Sequence, residues 1–106
     1  MPRFVILSHD HPFPHWDLML EAGESLRTWR LRSQPEAEGE IDAEELGAHR
    51  LAYLDYEGPI SGGRGTVTRW DHGTYEWGEA KKFEVFLKGV RFQGWVVLRR
   101  ASPHCG

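Results

Sequence analysis

Apolar and polar residues alternate with a period of two along several short stretches of this chain, and Gly, Pro and Asp separate the stretches, a pattern that predicts β-strands joined by turns. Phe4 to Ser8 starts one strand and His15 to Glu21 a second. In the second, alternation sends Trp16, Leu18 and Leu20 to one face and His15, Asp17, Met19 and Glu21 to the other, so a polar row backs a core row. Ala22-Gly23-Glu24 reads as a turn, and Leu26 to Leu31 as a third strand. Gly65 to Asp71, Thr74 to Trp77, Lys82 to Leu87 and Phe92 to Arg99 continue the series, with turns at Asp71-His72-Gly73 and Lys88-Gly89-Val90. Gln34 to Glu45 is acidic and polar. Its Asp42-x-x-Glu45 resembles a capping box and predicts a brief helix that Gly47 ends. Closing the strands on themselves removes exposed edges, so the expected fold is mainly β, a small closed antiparallel β-barrel with short flanking helical segments.

The length of 106 residues and 40% hydrophobic content suit a single domain over residues 1–101, with a tail at 102–106. Five tryptophans, five phenylalanines and three tyrosines supply much of the core. A net charge of −3 argues against a broad basic face for long duplex DNA. Arg27, Arg30 and Arg32, Arg64 and Arg69, and Arg91, Arg99 and Arg100 form small basic groups that suit a contact with a strand end. No apolar run reaches the ~18 residues of a membrane span, and the apolar start, Phe4 to Leu7, is too short for a signal peptide, so a cytoplasmic protein is expected. Cys105 is the lone cysteine and has no internal disulfide partner; with His104 it belongs to the expected tail.

Candidate chemistry is concentrated in Ser8-His9-Asp10-His11-Pro12-Phe13-Pro14-His15-Trp16-Asp17, which carries the spacing His9-x5-His15-x-Asp17. Pro12 and Pro14 oppose a helix, so the segment bends as a loop and His15 opens a strand. Residues two apart on one strand face stand about 6.5–7 Å apart, close enough to share an ion about 2.0–2.2 Å from each ligand atom. His9 completes the set if the loop folds back. Nitrogen and oxygen donors without thiolate suit Mn, Fe or Zn, and three protein ligands leave positions for water and substrate. Spacing alone is equally compatible with turn chemistry, in which Asp10 initiates a turn and His11 is an ordinary loop residue.

A second motif follows downstream: Ala48-His49-Arg50-Leu51-Ala52-Tyr53-Leu54-Asp55-Tyr56-Glu57-Gly58, then Gly62-Gly63-Arg64-Gly65-Thr66-Val67 and Trp70-Asp71-His72-Gly73-Thr74-Tyr75. With the His-Asp-x4-His-x-Asp pattern ahead of it, this order resembles the 3′-phosphoesterase domain of bacterial DNA ligase D and its stand-alone relatives, over most of the chain. The closing hairpin, Phe83 to Leu98, resembles that family as well. The resemblance implies that His9, His15 and Asp17 bind Mn²⁺, with Zn²⁺ or another divalent ion as alternatives. It also implies that His49 and Tyr53 are pocket residues contacting the scissile phosphate or the metal-bound water. On the residues alone, His49 would simply cap a helix end and Tyr53 would be a packed aromatic.

The implied substrate is the 3′ end of a DNA or RNA primer strand, trimmed of a terminal ribonucleotide or phosphate during DNA repair, with a separate DNA ligase or polymerase as partner. The chain departs from the family at positions that carry phosphate-binding arginines there. Met19 replaces one, Ile41 stands where another is expected, and Trp29-Arg30-Leu31-Arg32-Ser33 replaces a Trp-Ala-Val-Pro-Lys segment. Arg30, Arg32, Arg50 and Arg64 are candidate substitutes. Two further readings compete: a non-catalytic metal- or nucleic-acid-binding module on the same barrel, and a non-haem iron oxygenase using His15, Asp17 and a distant histidine.

Overall fold

Strand alternation decides which side of a wall each residue faces, and here both sides are covered. The computed structural model describes residues 1–100. It comprises β1 (Arg3–His9), β2 (His15–Ala22), β3 (Ser25–Leu31), β4 (Gly39–Arg50), a 3-10 helix (Leu51–Leu54), β5 (Gly58–Pro59), β6 (Thr66–Trp77), β7 (Glu84–Gly89) and β8 (Gln93–Arg100). Hydrogen bonds run in the order β1-β2-β3-β4-β8-β7-β6, and β6 pairs back onto β1, closing a seven-stranded barrel on whose β6 the short β5 adds a rung. Neighbours are antiparallel except β4 and β8, which run parallel. Closure leaves these seven strands without a free edge.

The barrel interior is filled by Phe4 and Ile6 of β1, Leu18 and Leu20 of β2, Trp29 and Leu31 of β3, and apolar residues of β6, β7 and β8. Val5, Leu7, Met19, Leu26 and Val67 point the other way, where Leu54 of the 3-10 helix, with Tyr53 and Ile60, packs over them. Phe4 through Leu7 are each no more than 1% exposed. Complete burial of such a side chain contributes roughly 1.5–3 kcal/mol, so β1 is fastened from both faces. The two-residue turn at Gly23 and Glu24, with Gly23 at φ 67°, joins β2 to β3 as the sequence predicts.

Two expectations are corrected. Asp42 to Glu45 is not a helix: it lies within β4, where Ala43 pairs with Leu31 and with Arg100 of β8. Burial of Ala43 and barrel closure outweigh a local capping signal, and the acidic side chains find cross-strand partners instead. Arg99 reaches Asp42 and Glu40, and Arg27 reaches Glu45. Helical structure among the described residues is therefore the 3-10 helix alone. The turn expected at Asp71-His72-Gly73 is likewise absent, because β6 runs through it. Ile6 pairs with Asp71 and Leu7 with Arg69, so Trp70 is an extra residue, a bulge that bends β6 around the barrel. The expected tail, with His104 and Cys105, lies outside the described residues. No helix among the described residues is long and apolar enough to cross a membrane.

Asp71 fastens the β7–β8 hairpin to β6. Its Oδ1 accepts the backbone N–H groups of His72, Val90 and Arg91, and its Oδ2 that of Phe92. A Cβ at Gly89 would collide with this carboxylate, so glycine is required there for close approach. Because a buried hydrogen bond to a charged acceptor contributes more than a neutral one, Asp71→Ala is expected to lower unfolding stability by about 3–4 kcal/mol in urea titrations, and Asp71→Asn, which keeps one acceptor oxygen, by less than half of that.

Candidate metal centre and cleft

Residues 10–14 form neither helix nor strand, and the loop returns the chain so that β1 ends against the start of β2. His9 stands directly opposite His15, and Leu7 opposite Asp17. Directly paired residues on an antiparallel ladder point to one face, so His9, His15 and Asp17 emerge together on the outer side of the barrel wall. One ligand atom from each lies within 4.8 Å of the others. His9 Nδ1 is 3.6 Å and His15 Nε2 3.3 Å from Asp17 Oδ2.

Hydrogen bonds select which nitrogen of each ring is available. His15 Nδ1 lies 2.8 Å from the Phe13 carbonyl and His9 Nε2 2.8 Å from the Arg64 carbonyl. A carbonyl only accepts, so these nitrogens donate, and the lone pair of each neutral ring is on the nitrogen that faces Asp17. His15 Nε2 and Asp17 Oδ1 are buried without a hydrogen-bond partner. The acceptors that face one another are His9 Nδ1, His15 Nε2 and Asp17 Oδ2, and such a set repels unless a cation lies between them. Donor atoms that share one ion at about 2.0–2.2 Å stand about 3–3.6 Å apart, and the two contacts to Asp17 Oδ2 have that spacing. A nitrogen and oxygen donor set of this kind fits a divalent transition ion.

The glycine-rich turn supports the loop from outside. Besides the Arg64 carbonyl on His9, the Thr66 N–H donates to Asp10 Oδ1 at 2.8 Å. Gly65 sits at φ 80°, and a Cβ there would run into Asp10 and His11. Beside any part in the turn, the Asp10 carboxylate ties together two loops, its partner Thr66 standing 56 residues along the chain.

His49 lies near the end of β4, opposite Leu26, rather than behind a helix. Its Nδ1 donates to the Gly47 carbonyl at 2.9 Å, which leaves Nε2 available. The Tyr53 ring, on the 3-10 helix, meets it edge-on with centroids 5.8 Å apart. Both line a cleft of about 280 Å³ whose wall also includes His9 and Asp17. The sequence-selected residues therefore converge on one place. Of the candidate arginines, Arg30 and Arg64 line this cleft, whereas Arg32 lines an adjoining groove of about 690 Å³ and Arg50 lies over the Tyr53 ring. Met19 is buried in the outer apolar cluster and forms part of the apolar lining of the cleft, whereas Ile41 packs against the barrel interior and does not line it.

Comparison with known proteins gives two matches. Residues 7–100 fit the sequence model of the DNA Ligase D 3′-phosphoesterase domain. The chain is also 31% identical over 78 residues to the multifunctional non-homologous end joining protein LigD of Pseudomonas aeruginosa, an alignment covering 69% of this chain and 9% of that protein.

Gly65→Ala forces a left-handed backbone onto a side chain that has no room, and is expected to cost about 2 kcal/mol in unfolding titrations. Asp10→Asn, which can still accept from Thr66, is expected to leave the melting temperature within a few degrees of the parent.

Proposed function

The chain belongs to the DNA ligase D 3′-phosphoesterase domain family, and on that premise we propose that it hydrolyses phosphoester bonds at the 3′ end of a DNA or RNA strand, removing a terminal ribonucleotide or phosphate. Family membership supports a phosphoesterase that processes DNA ends. The chain spans about 9% of the length of its LigD relative, so the further activities and partners of that protein are not transferred to it. The observation that carries the reading is the pair of buried, unpartnered acceptors, His15 Nε2 and Asp17 Oδ1, in a cluster whose His9 and Asp17 line the same cleft as His49 and Tyr53.

In this proposal His9 Nδ1, His15 Nε2 and the Asp17 carboxylate hold a divalent ion, with Mn²⁺ the first candidate. Such an ion polarises a phosphoryl oxygen and lowers the pKa of a coordinated water. The Phe13 and Arg64 carbonyls keep the two imidazoles aimed, which is the usual role of groups behind a ligand shell. His49, its Nδ1 committed to Gly47, presents Nε2 to the cleft, where in its protonated form it donates a proton to the leaving oxygen. The Tyr53 hydroxyl orients the phosphoryl group. The iron-oxygenase reading takes its second histidine from a distance, whereas His9 supplies it within the cluster, and membership of a phosphoesterase family favours hydrolysis over oxygen chemistry.

A Mn²⁺-supplemented assay on a 5′-labelled primer-template ending in one ribonucleotide or a 3′-phosphate tests this. The parent should trim the end and His15→Ala should not; His49→Ala should retain metal binding and lose about 10²–10⁴-fold in rate. No trimming by folded, Mn²⁺-loaded parent would leave the non-catalytic module as the better reading. Mn²⁺ at 100 times its Kd should stabilise the parent by about 2.7 kcal/mol and leave His15→Ala unmoved, measured by thermal unfolding.

A further inference from the structure

Arg30 and Arg69 each carry a buried Nε without a hydrogen-bond partner, and of the two it is Arg30 that lines the cleft of the candidate metal cluster. It stands on β3 directly opposite Asp17 of β2, so its side chain leaves the wall on the same side as the His9, His15 and Asp17 cluster. On its other flank it pairs with Glu44 of β4. A guanidinium between two carboxylate-bearing neighbours would ordinarily bond to one of them. Arg30 bonds to neither: no ion pair or hydrogen bond of its side chain occurs among the described residues, and its Nε is buried and unpartnered. Its guanidinium lies 5.7 Å from the centre of the Phe13 ring, within the loop that carries His15. Among the described residues it alone lines both the candidate cleft and the adjoining groove. Arg64, the other arginine of the cleft, is already engaged, its Nε donating to the Ser61 carbonyl.

We propose that Arg30 is the phosphate-binding residue of this site, gripping the phosphoryl group of the strand end with its unengaged fork of N–H donors. The proposal rests on the phosphoesterase reading above and deepens it. Met19 stands on the β2 face of Asp17 and is committed to packing with Leu7, Leu26 and Val67. A cation for the phosphate therefore has to come from the neighbouring strand, and the Asp17–Arg30 register delivers one beside the metal ligands. The Phe13 ring meets the guanidinium through its π face and so engages none of its N–H donors. The buried Nε has no acceptor in the free protein, and the terminal N–H groups of the same guanidinium, on the cleft that Arg30 lines, are the donors left for a phosphoryl oxygen.

The test compares Arg30 with Arg30→Gln and Arg30→Lys in Mn²⁺, binding being read in the His49→Ala background so that the end is held and not trimmed, using a 5′-fluorescein single strand ending either in a 3′-phosphate or in a 3′-hydroxyl. Fluorescence anisotropy should show Arg30→Gln binding the 3′-phosphate strand about 10- to 100-fold more weakly, with Arg30→Lys intermediate because it restores charge without the fork. Binding of the 3′-hydroxyl strand and Mn²⁺ affinity should each change less than about twofold, readouts that a merely structural arginine would not separate. Should the variants fold poorly, the Nε–H resonance of Arg30 in the His49→Ala background should shift on adding the 3′-phosphate strand and not the 3′-hydroxyl strand. A parent that trims the end while Arg30→Gln binds and trims it equally well, or an Arg30 resonance that ignores the phosphate, would overturn the role of Arg30 and leave the phosphoesterase reading intact. A parent that neither binds nor trims the phosphorylated end would overturn both.

Discussion

The antiparallel register between β1 and β2 is the constraint on which the rest of this protein depends. Pairing Leu7 with Asp17 and His9 with His15 puts apolar side chains of both strands inside the barrel and delivers two imidazoles and a carboxylate to one spot outside it. A slip of one residue would exchange the two faces, burying the polar row in the barrel and exposing Leu18 and Leu20. The same pairing that stabilises the fold therefore positions the site, and the deep burial of Phe4 to Leu7 makes the slip prohibitively costly.

Around that register the molecule uses acceptors to hold loops. Asp71 gathers four backbone N–H groups and secures the β7–β8 hairpin. Asp10 gathers one and secures the glycine-rich turn, whose Arg64 carbonyl in turn orients His9. In both places a glycine, Gly89 or Gly65, leaves room for the carboxylate. The stability of the scaffold and the aim of the candidate ligands are thus linked through a few short contacts between segments distant in sequence.

Electrostatics follow the same economy. The chain is acidic overall, and several arginines are spent on carboxylates of the barrel surface, Arg3 on Asp55, Arg27 on Glu45 and Arg99 on Asp42. The Arg3 guanidinium holds the Asp55 carboxyl below its ordinary range, and Asp42 raises Arg99. Positive charge free to meet a phosphate is therefore confined, and a short strand end suits this surface better than a long duplex.

His49 and Tyr53 were legible only through the family resemblance; local sequence determined the strands whose alternation is strong, the proline-bent loop, the Gly23 turn and the His9-x5-His15-x-Asp17 spacing. Those features depend on period and backbone chemistry that a few neighbouring residues carry. Strand β4 and the continuity of β6 were not legible, because a capping pattern at Asp42 and a turn signal at Asp71 are weak local preferences that barrel closure overrides with whole ladders of hydrogen bonds. Nor could sequence separate Arg30 from Arg32, Arg50 and Arg64. Only tertiary structure decided that, because an arginine becomes available to a phosphate by the strand it faces and the carboxylates it fails to meet, and both depend on pairing between segments far apart in the chain.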